Sequence, residues 1–511
     1  MAKNNYTLTK TKILSGIQCH KKLWLELDKE REHKELDKER EHKDRSLFHS
    51  GNRFGQIVRD NYGLGLDLSN EYDSKIALDE TNKAINDKNI KVIYEAAFLF
   101  SDTLIRADVL VRNKDQWDLL EAKTVSDLKP GNITDISIQS FVVKNSNVKI
   151  SNTKLLYINR EFIYKGDDNY KNLILEKDIT NEVSIEEKNI KDVIEKLKII
   201  SKPKSPCPKI SVGKHCNIPY PCDFKSICEV EEKDLTKVNY EILPHLNKEI
   251  KEFCKLNKIK KLKDVPSNLL ETNRKGFVNG YHKIIQKCHI DNEPWVNVKV
   301  KDLFKQFKWP FYFLDFETVM QTVPIIKDTR PNDRLPFQWS VHKWTNIDEE
   351  IKIDEGSSFL KFDNQDIENE FLISLIKVLE DKGTIFVHNA SFEVSLLNSL
   401  KIKTKFKKYS KDIDNIISRV ADTLTIVREN FYSPLMKGKY SLKDIVKSIP
   451  TSVDYNEEDE IEGGMGAQLA WFLYTDPKSS KKDKNLQEDK LTTYCAKDTY
   501  ALYDLVKYFM K

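Results

Sequence analysis

The stretch that most constrains the fold is Leu104–Lys123, LIRADVLVRNKDQWDLLEAK, where charged residues interrupt apolar runs that read as strands. The runs Leu104–Val111 and Trp117–Ala122 flank a polar turn at Asn113–Gln116, a pattern that predicts an antiparallel hairpin. Asp108 falls in the first strand. Glu121 and Lys123 are two positions apart in the second, so they share a face, and the hairpin can set Asp108 beside them. Unpaired charge in an apolar strand is costly. Two arrangements relieve it. One is an ordinary cross-strand Glu–Lys pair on a polar sheet face. The other is a hard divalent cation held by the two carboxylates, with the Lys beside an attacked phosphate.

An Asp followed by Glu-x-Lys on the next strand resembles the PD-(D/E)XK nucleases. The RecB-like branch fits best, because Glu95 precedes in YEAAF and Gln139 follows in DISIQSF. That resemblance implies Mg2+ or Mn2+ on Asp108 and Glu121, with Glu95 assisting. It also implies that Lys123 steadies the developing charge and that Gln139 lies on the following helix near the site. His49, in SLFHSGNRFGQIVRD, is by the same resemblance a further candidate metal ligand; a surface or core histidine is the alternative.

The second signal is SPCPKISVGKHCNIPYPCDFKSIC. Five residues separate Cys216 from Cys222 and Cys222 from Cys228, and Pro219 and Pro221 enforce turns between them. Eight cysteines in a chain of 511 residues point to a reducing compartment with metal or cluster ligation, not a disulfide scaffold. Three thiolates on one looped segment suit a soft ion or an iron–sulfur cluster. The fourth ligand is left open among Cys207, His215 and the distant Cys19. This layout resembles the iron–sulfur RecB-like nucleases, in which one Cys precedes the catalytic core and three follow it. The resemblance implies Cys19, in SGIQCHKKLW, with Cys216, Cys222 and Cys228 around a 4Fe–4S cluster, zinc being the alternative. The five-residue gap between Cys216 and Cys222 replaces the tighter CxxC step of those proteins. Cys207, Cys254, Cys288 and Cys495 then read as ordinary thiols.

The C-terminal half opens with WPFYFLDFET, where an apolar run from Phe311 leads into Asp315 and Glu317 on one strand face. A second apolar strand, expected over 384–397, delivers Asn389 and Glu393. LTTYCAKDTYALYDLV (491–506) reads as an amphipathic helix with Tyr494 and Asp498 four apart on one face. Asp-x-Glu, then Asn-x-x-x-acid, then Tyr-x-x-x-Asp resembles the DEDDy exonucleases of the RNase H-like fold. By that resemblance Asp315, Glu317 and Asp498 hold metal ions and Tyr494 orients the attacking water. Glu393 stands where the family has Asp, and Asp422 in VADTLTIV is a possible substitute ligand.

The expected class is thus multidomain α/β. Residues 1–230 are a nuclease core with the Cys cluster, interrupted by the charged tandem repeat LDKEREHKE/LDKEREHKD over 27–44. Residues 231–308 are a lysine-rich helical connector, and 309–511 are an RNase H-like domain. The repeat has one Leu per nine residues, too few for a coiled-coil seam. A charged helix is expected over Ile185–Ile200, and residues 154–166 read as an additional strand pair. A net charge of +4 with both signs dense does not by itself predict nucleic-acid binding. The start MAKNNYTLTKTK lacks the apolar core of a signal peptide, and no run reaches a membrane span, so a cytoplasmic location is expected.

Over the whole chain, GKHCNIPYPCDF, FYFLDFET, HNASFE, GGMGAQLA and YCAKDT occur in the order of a bacterial fusion family that joins the two nuclease modules. The resemblance implies metal-dependent hydrolysis of DNA, single-stranded ends foremost, with RNA a possible substrate of the second module. Two other readings are a single-site nuclease whose C-terminal half only binds nucleic acid, and a non-catalytic iron–sulfur nucleic-acid-binding protein.

Overall fold

The structure is a computed structural model that describes residues 8–31, 51, 53–228, 234–362, 366–451, 453–455, 461, 463–476 and 478–511. His49 and most of the charged repeat lie outside the described residues. Two compact units emerge: residues 1–230 with 321–333, and residues 231–320 with 334–511. The protein is mixed α/β, with a mixed sheet in each unit and a long C-terminal helix. Among the described residues no helix is long and apolar enough to cross a membrane.

The sheet of the first unit contains β1 (Leu8–Thr9), β2 (Leu66–Asp67), β3 (Val92–Phe100), β4 (Thr103–Asn113), β5 (Gln116–Ala122), β6 (Ile150–Ile158) and β7 (Ile174–Asp178). Its order is β2-β3-β4-β5-β6-β7, with β1 on β4. β3, β4 and β5 form an antiparallel meander, the helix Pro130–Asn145 crosses over, and β6 returns parallel to β5. The expected turn is therefore real, at Lys114 and Asp115. The stretch read as a strand pair at 154–166 differs: β6 ends at Ile158 and pairs with β7, sixteen residues further on. The expected charged helix spans Thr180–Ser201. It packs with Pro130–Asn145 on one face of the sheet through Ile136, Val142, Ile190 and Ile194.

Strand alternation slips where the acids sit. On β3, Ile93 shares the helix-covered core with Ala96 and Phe98; on β4, Leu110 shares it with Ala107 and Ile105. Residues of opposite parity can face one side only if the pleat is broken between them. The break falls at Glu95, whose φ is +55°, and at Asp108, which lies opposite it in the register. A left-handed Glu inside a strand is strained, and such strain concentrates at functional sites.

In the second unit, β8 (Trp295–Val296) pairs with β14 (Phe431–Tyr432) in a separate small ribbon. The main sheet has the order β11-β10-β9-β12-β13: Ser357–Leu360, Arg334–Trp344, Phe311–Met320, Thr384–Val387 and Val420–Asp422. The first three run antiparallel and the last two parallel to β9. Residues 384–397 correct the expectation of one long strand. β12 ends at Val387, Asn389 turns the chain at φ +73°, and a helix Ser391–Lys401 carries Glu393. The C-terminal helix, Lys481–Met510, is longer than the amphipathic pattern suggests. Residues 234–308, expected as a connector, share a core with this sheet through Ile285, Phe304, Phe386 and Phe509.

Candidate functional site

Two carboxylate clusters form, one per unit. In the first, the slip in the pleat sets Glu95, Asp108 and Glu121 side by side across β3, β4 and β5, one position from the pairs Tyr94–Val109 and Val109–Leu120. β5 pairs with β4 only from Val109 onward, and β1 pairs with β4 at Thr103 and Leu104. The gap between these pairings contains Asp108, and Lys10 follows β1 directly, so the ladder itself delivers that ammonium to the acids.

Asp108 Oδ2 accepts the Ala122 N–H at 2.8 Å, which ties down the end of β5. Glu121 is fully buried and closely held. Its Oε1 lies 2.7 Å from Lys123 Nζ and 3.0 Å from Lys10 Nζ, and its Oε2 accepts from the Gln139 amide. Asp135, one helical turn before Gln139, receives both lysines as well, Lys10 at 3.3 Å. Burial disfavours a charged Glu121, but the Lys10 and Lys123 ammoniums outweigh it and hold the carboxyl down at about 2. Burial raises Asp108 well above the usual carboxylate range, and Glu121 adds to it. Glu95 is raised too, by burial against the pull of Lys10. Asp108, Glu121, Lys123, Glu95 and Gln139 are thus brought together. Lys10 and Asp135 join them without having been singled out in the sequence. Asp135 was legible, being four residues before Gln139 on one helix face; nothing in TLTKTK distinguishes Lys10 from Lys12.

In the second cluster β9 supplies Asp315 and Glu317, the helix Ser391–Lys401 supplies Glu393, and the C-terminal helix supplies Tyr494 and Asp498. Burial raises Asp315 to about 8, with the Asp498 charge contributing. Burial, then Asp315 and Asp498, push Glu317 well up. Glu393, only 3% exposed, is raised to about 9 by burial and by Asp315, and its Oε2 has no hydrogen-bond partner. Burial and then Asp498 raise the Tyr494 phenol. Tyr455 Oη donates to Asp498 Oδ1 at 2.7 Å, and Lys443 Nζ lies 5.1 Å from the Tyr494 ring centroid. Cys495, expected to be an ordinary thiol, is buried with its Sγ 3.5 Å from Asp315 Oδ2. Asp422 caps the helix Thr423–Asn430: its Oδ1 accepts from Leu424 N and Asn389 N, each at 3.0 Å. Its charge also reaches Glu393.

Mutual repulsion among buried acids has a measurable consequence. A carboxyl whose folded pKa is raised contributes stability that is complete below the unfolded value and lost as pH rises through the folded one. In EDTA the second unit should therefore lose stability from about pH 4.5, just above the ordinary carboxylate values, up to about pH 9, where Asp315 and Glu393 titrate in the folded chain. A Tm fall of roughly 4 °C or more is expected, since about 1 kcal/mol moves Tm by roughly 2–4 °C for a unit of this size. Mn2+ should restore it most at high pH, and the variant Asp315→Asn/Glu393→Gln should flatten the slope. An unchanged slope in that variant would refute the assignment.

The cysteines gather separately. Cys19 ends the helix Lys10–Gln18 in extended conformation, and a second helix, His20–Arg31, follows directly. Gln18 Nε2 donates to His215 O at 2.9 Å and to Tyr220 O at 2.7 Å, so the helix end is pinned onto the Cys segment. Cys19, Cys216, Cys222 and Cys228 line one small cavity, and all are free thiols. Burial raises the Cys222 thiol, and Cys216 and Cys19 add to the shift. Cys207 is exposed and does not line the cavity; His215 does. Among the described residues no group of three or more His, Cys, Asp or Glu side chains is already drawn in to metal-holding positions. In the first cluster, lysines occupy the carboxylates.

Residues 312–441 match the family described as a domain of unknown function, DUF2779. The match covers β9 through the segment after β14, and so Asp315, Glu317, Glu393 and Asp422 but not Tyr494 or Asp498. No curated protein matches the chain.

Proposed function

We propose that the chain is a metal-dependent nuclease that hydrolyses phosphodiester bonds of DNA, chiefly at single-stranded ends. The observation that carries this reading is the second cluster. Four acids from one strand and two helices meet with a buried carboxylate oxygen, Glu393 Oε2, that has no partner. Buried carboxylates without a cation are costly, and this donor set, all oxygen, fits Mg2+ or Mn2+. Asp315, Glu317, Glu393 and Asp498 would hold the ions. When bound, such ions polarise the phosphate and lower the pKa of a water nucleophile. Tyr494 would orient that water while Tyr455 fixes Asp498. The strand order β11-β10-β9-β12-β13 under a C-terminal helix supports an RNase H-like reading of this unit.

The meander, crossover helix and parallel return strand support a PD-(D/E)XK reading of the first unit. Asp108 and Glu121 would hold its ion and Lys123 would steady charge on the phosphate. The four thiols around one cavity fit a 4Fe–4S cluster, or zinc. The cluster would staple the N-terminal helix to residues beyond the sheet.

One observation favours a second reading, a nuclease active only in its C-terminal unit. Lys10 already neutralises Glu121, the place a cation would take. Digestion of 5′- and 3′-labelled single strands with Mn2+ by Asp108→Asn and by Asp315→Asn separates the two readings. If Lys10 merely competes with the ion, Lys10→Met should lower the Mn2+ needed for half-maximal Asp108-dependent cleavage several-fold. Cleavage untouched by Asp108→Asn would leave the first unit without a hydrolytic role.

A further inference from the structure

Beside the second cluster lies a cavity of about 490 Å³, within the size range of small-ligand sites. Its walls come from three segments distant in sequence. Residues 244–277 contribute His245 and Phe277, the β12 end contributes His388 and Asn389, and the region after β13 contributes Arg428 and Tyr440. All belong to one unit. Asn389 lies two residues before the helix bearing Glu393, and its N–H is anchored on Asp422, so the cavity adjoins the acids through a hydrogen-bonded turn.

Its chemistry is cationic and aromatic. The Arg428 guanidinium lies 4.8 Å from the Phe277 ring centroid and 5.7 Å from that of Tyr440. Its Nε is buried without a hydrogen bond, and among the described residues Arg428 has no ion-pair partner. Arg274 adds positive charge nearby, felt by both His245 and Arg428. Asp422, the carboxylate whose charge is felt at Arg428 among the described residues, is engaged by backbone amides. His388 is held by Thr423 Oγ1 and Tyr440 O and so stiffens the wall. A cation lacking an anion, flanked by π faces, suits a phosphate joined to a flat ring.

We propose that this cavity receives a terminal nucleotide of the strand. Arg428 takes its phosphate and Phe277 or Tyr440 stacks on its base, while the adjoining acids face the scissile bond. The proposal rests on the nuclease reading of the second unit and names the substrate group which that site seats. It gives residues 244–277, outside the family match, a role in substrate binding.

The test is photo-crosslinking of the full chain in EDTA, so that binding is read without hydrolysis. The probes are 4-thiothymidine 5′-monophosphate and a thymidine pentamer ending in 3′-terminal 4-thiothymidine, with adducts mapped by peptide mass. Both probes should mark peptides carrying Phe277 or Tyr440. Yield should fall at least tenfold in Arg428→Lys and at least fivefold in Phe277→Leu, both with wild-type Tm, and equimolar inorganic phosphate should not block it. Adducts elsewhere, yields indifferent to Arg428→Lys, or full blocking by phosphate would overturn the proposal; so would exclusion of the pentamer while the mononucleotide binds. A chain that crosslinks as expected but never cleaves with Mn2+ counts against hydrolysis and for the cavity. One that cleaves while its crosslinks ignore Arg428 counts against the cavity alone.

Discussion

Asp315→Asn should reduce Mn2+-dependent cleavage by the C-terminal unit on the order of 10²–10³-fold, the scale on which preorganised charge stabilisation is lost. The substitution keeps size and shape but removes a charge that, in the proposed site, would hold a cation together with Asp498, Glu317 and Glu393. In the metal-free chain Asp315 is raised to about 8 by burial, so a neutral amide there disturbs folding little and should even stabilise the protein at high pH. Activity falling while Tm holds or rises distinguishes a ligand from a packing residue. Glu393→Gln should act in the same direction, since its Oε2 is the oxygen left without a partner. Glu393→Asp is the informative companion. If the longer side chain is what reaches the ion from the helix, shortening it costs activity, whereas a site shaped for the shorter Asp would be improved by it. Turnover with product ends mapped on 5′- and 3′-labelled strands decides, and wild-type cleavage by Asp315→Asn would remove the C-terminal unit from the chemistry.

The second large effect concerns the thiols. Cys19→Ser should drop bound iron in anaerobically purified protein from about four atoms per chain to below about one, with loss of the brown absorbance. It should also lower the first unit's unfolding temperature markedly, because ligand binding absent from the unfolded chain stabilises the fold directly. The geometry explains why one residue suffices. Of the four cavity thiols Cys19 alone precedes β2–β7, and Gln18 beside it is already bonded to His215 and Tyr220 of the Cys segment. Cys207→Ser, at an exposed position away from the cavity, should change neither iron nor Tm. A chain purified with one zinc and no iron would replace the cluster with a single-ion site on the same thiols. A chain with neither, and Cys19→Ser indistinguishable from wild type, would end the staple.

The hairpin and its acids were legible in the sequence because strand periodicity and burial cost act locally. Asp108, Glu121 and Lys123 follow from two-residue alternation, and Gln139 from the helix after it. What alternation hid was its own failure: a left-handed Glu95 reverses the faces of β3, and nothing in YEAAF announces a positive φ. Residues 384–397 misled for a related reason. The apolar run continues through SFEVSLL with helical as well as strand character, and the turn at Asn389 decides where one ends and the other begins. Lys10 and the Arg428 cavity were invisible because each is a meeting of segments far apart in the chain, Lys10 with Glu121 across 111 positions and the cavity from three separate stretches. Charge density spread over the whole chain gave no reason to prefer one lysine or arginine over another.

Both acid clusters are proposed to be divalent-ion sites that cut nucleic-acid strands. Anaerobically purified wild-type protein, given end-labelled single-stranded DNA, should cleave with Mn2+ or Mg2+ and stop in EDTA, and the double variant Asp108→Asn/Asp315→Asn should be inactive in every buffer. No cleavage by wild type with any divalent ion, or equal cleavage by the double variant, would contradict it.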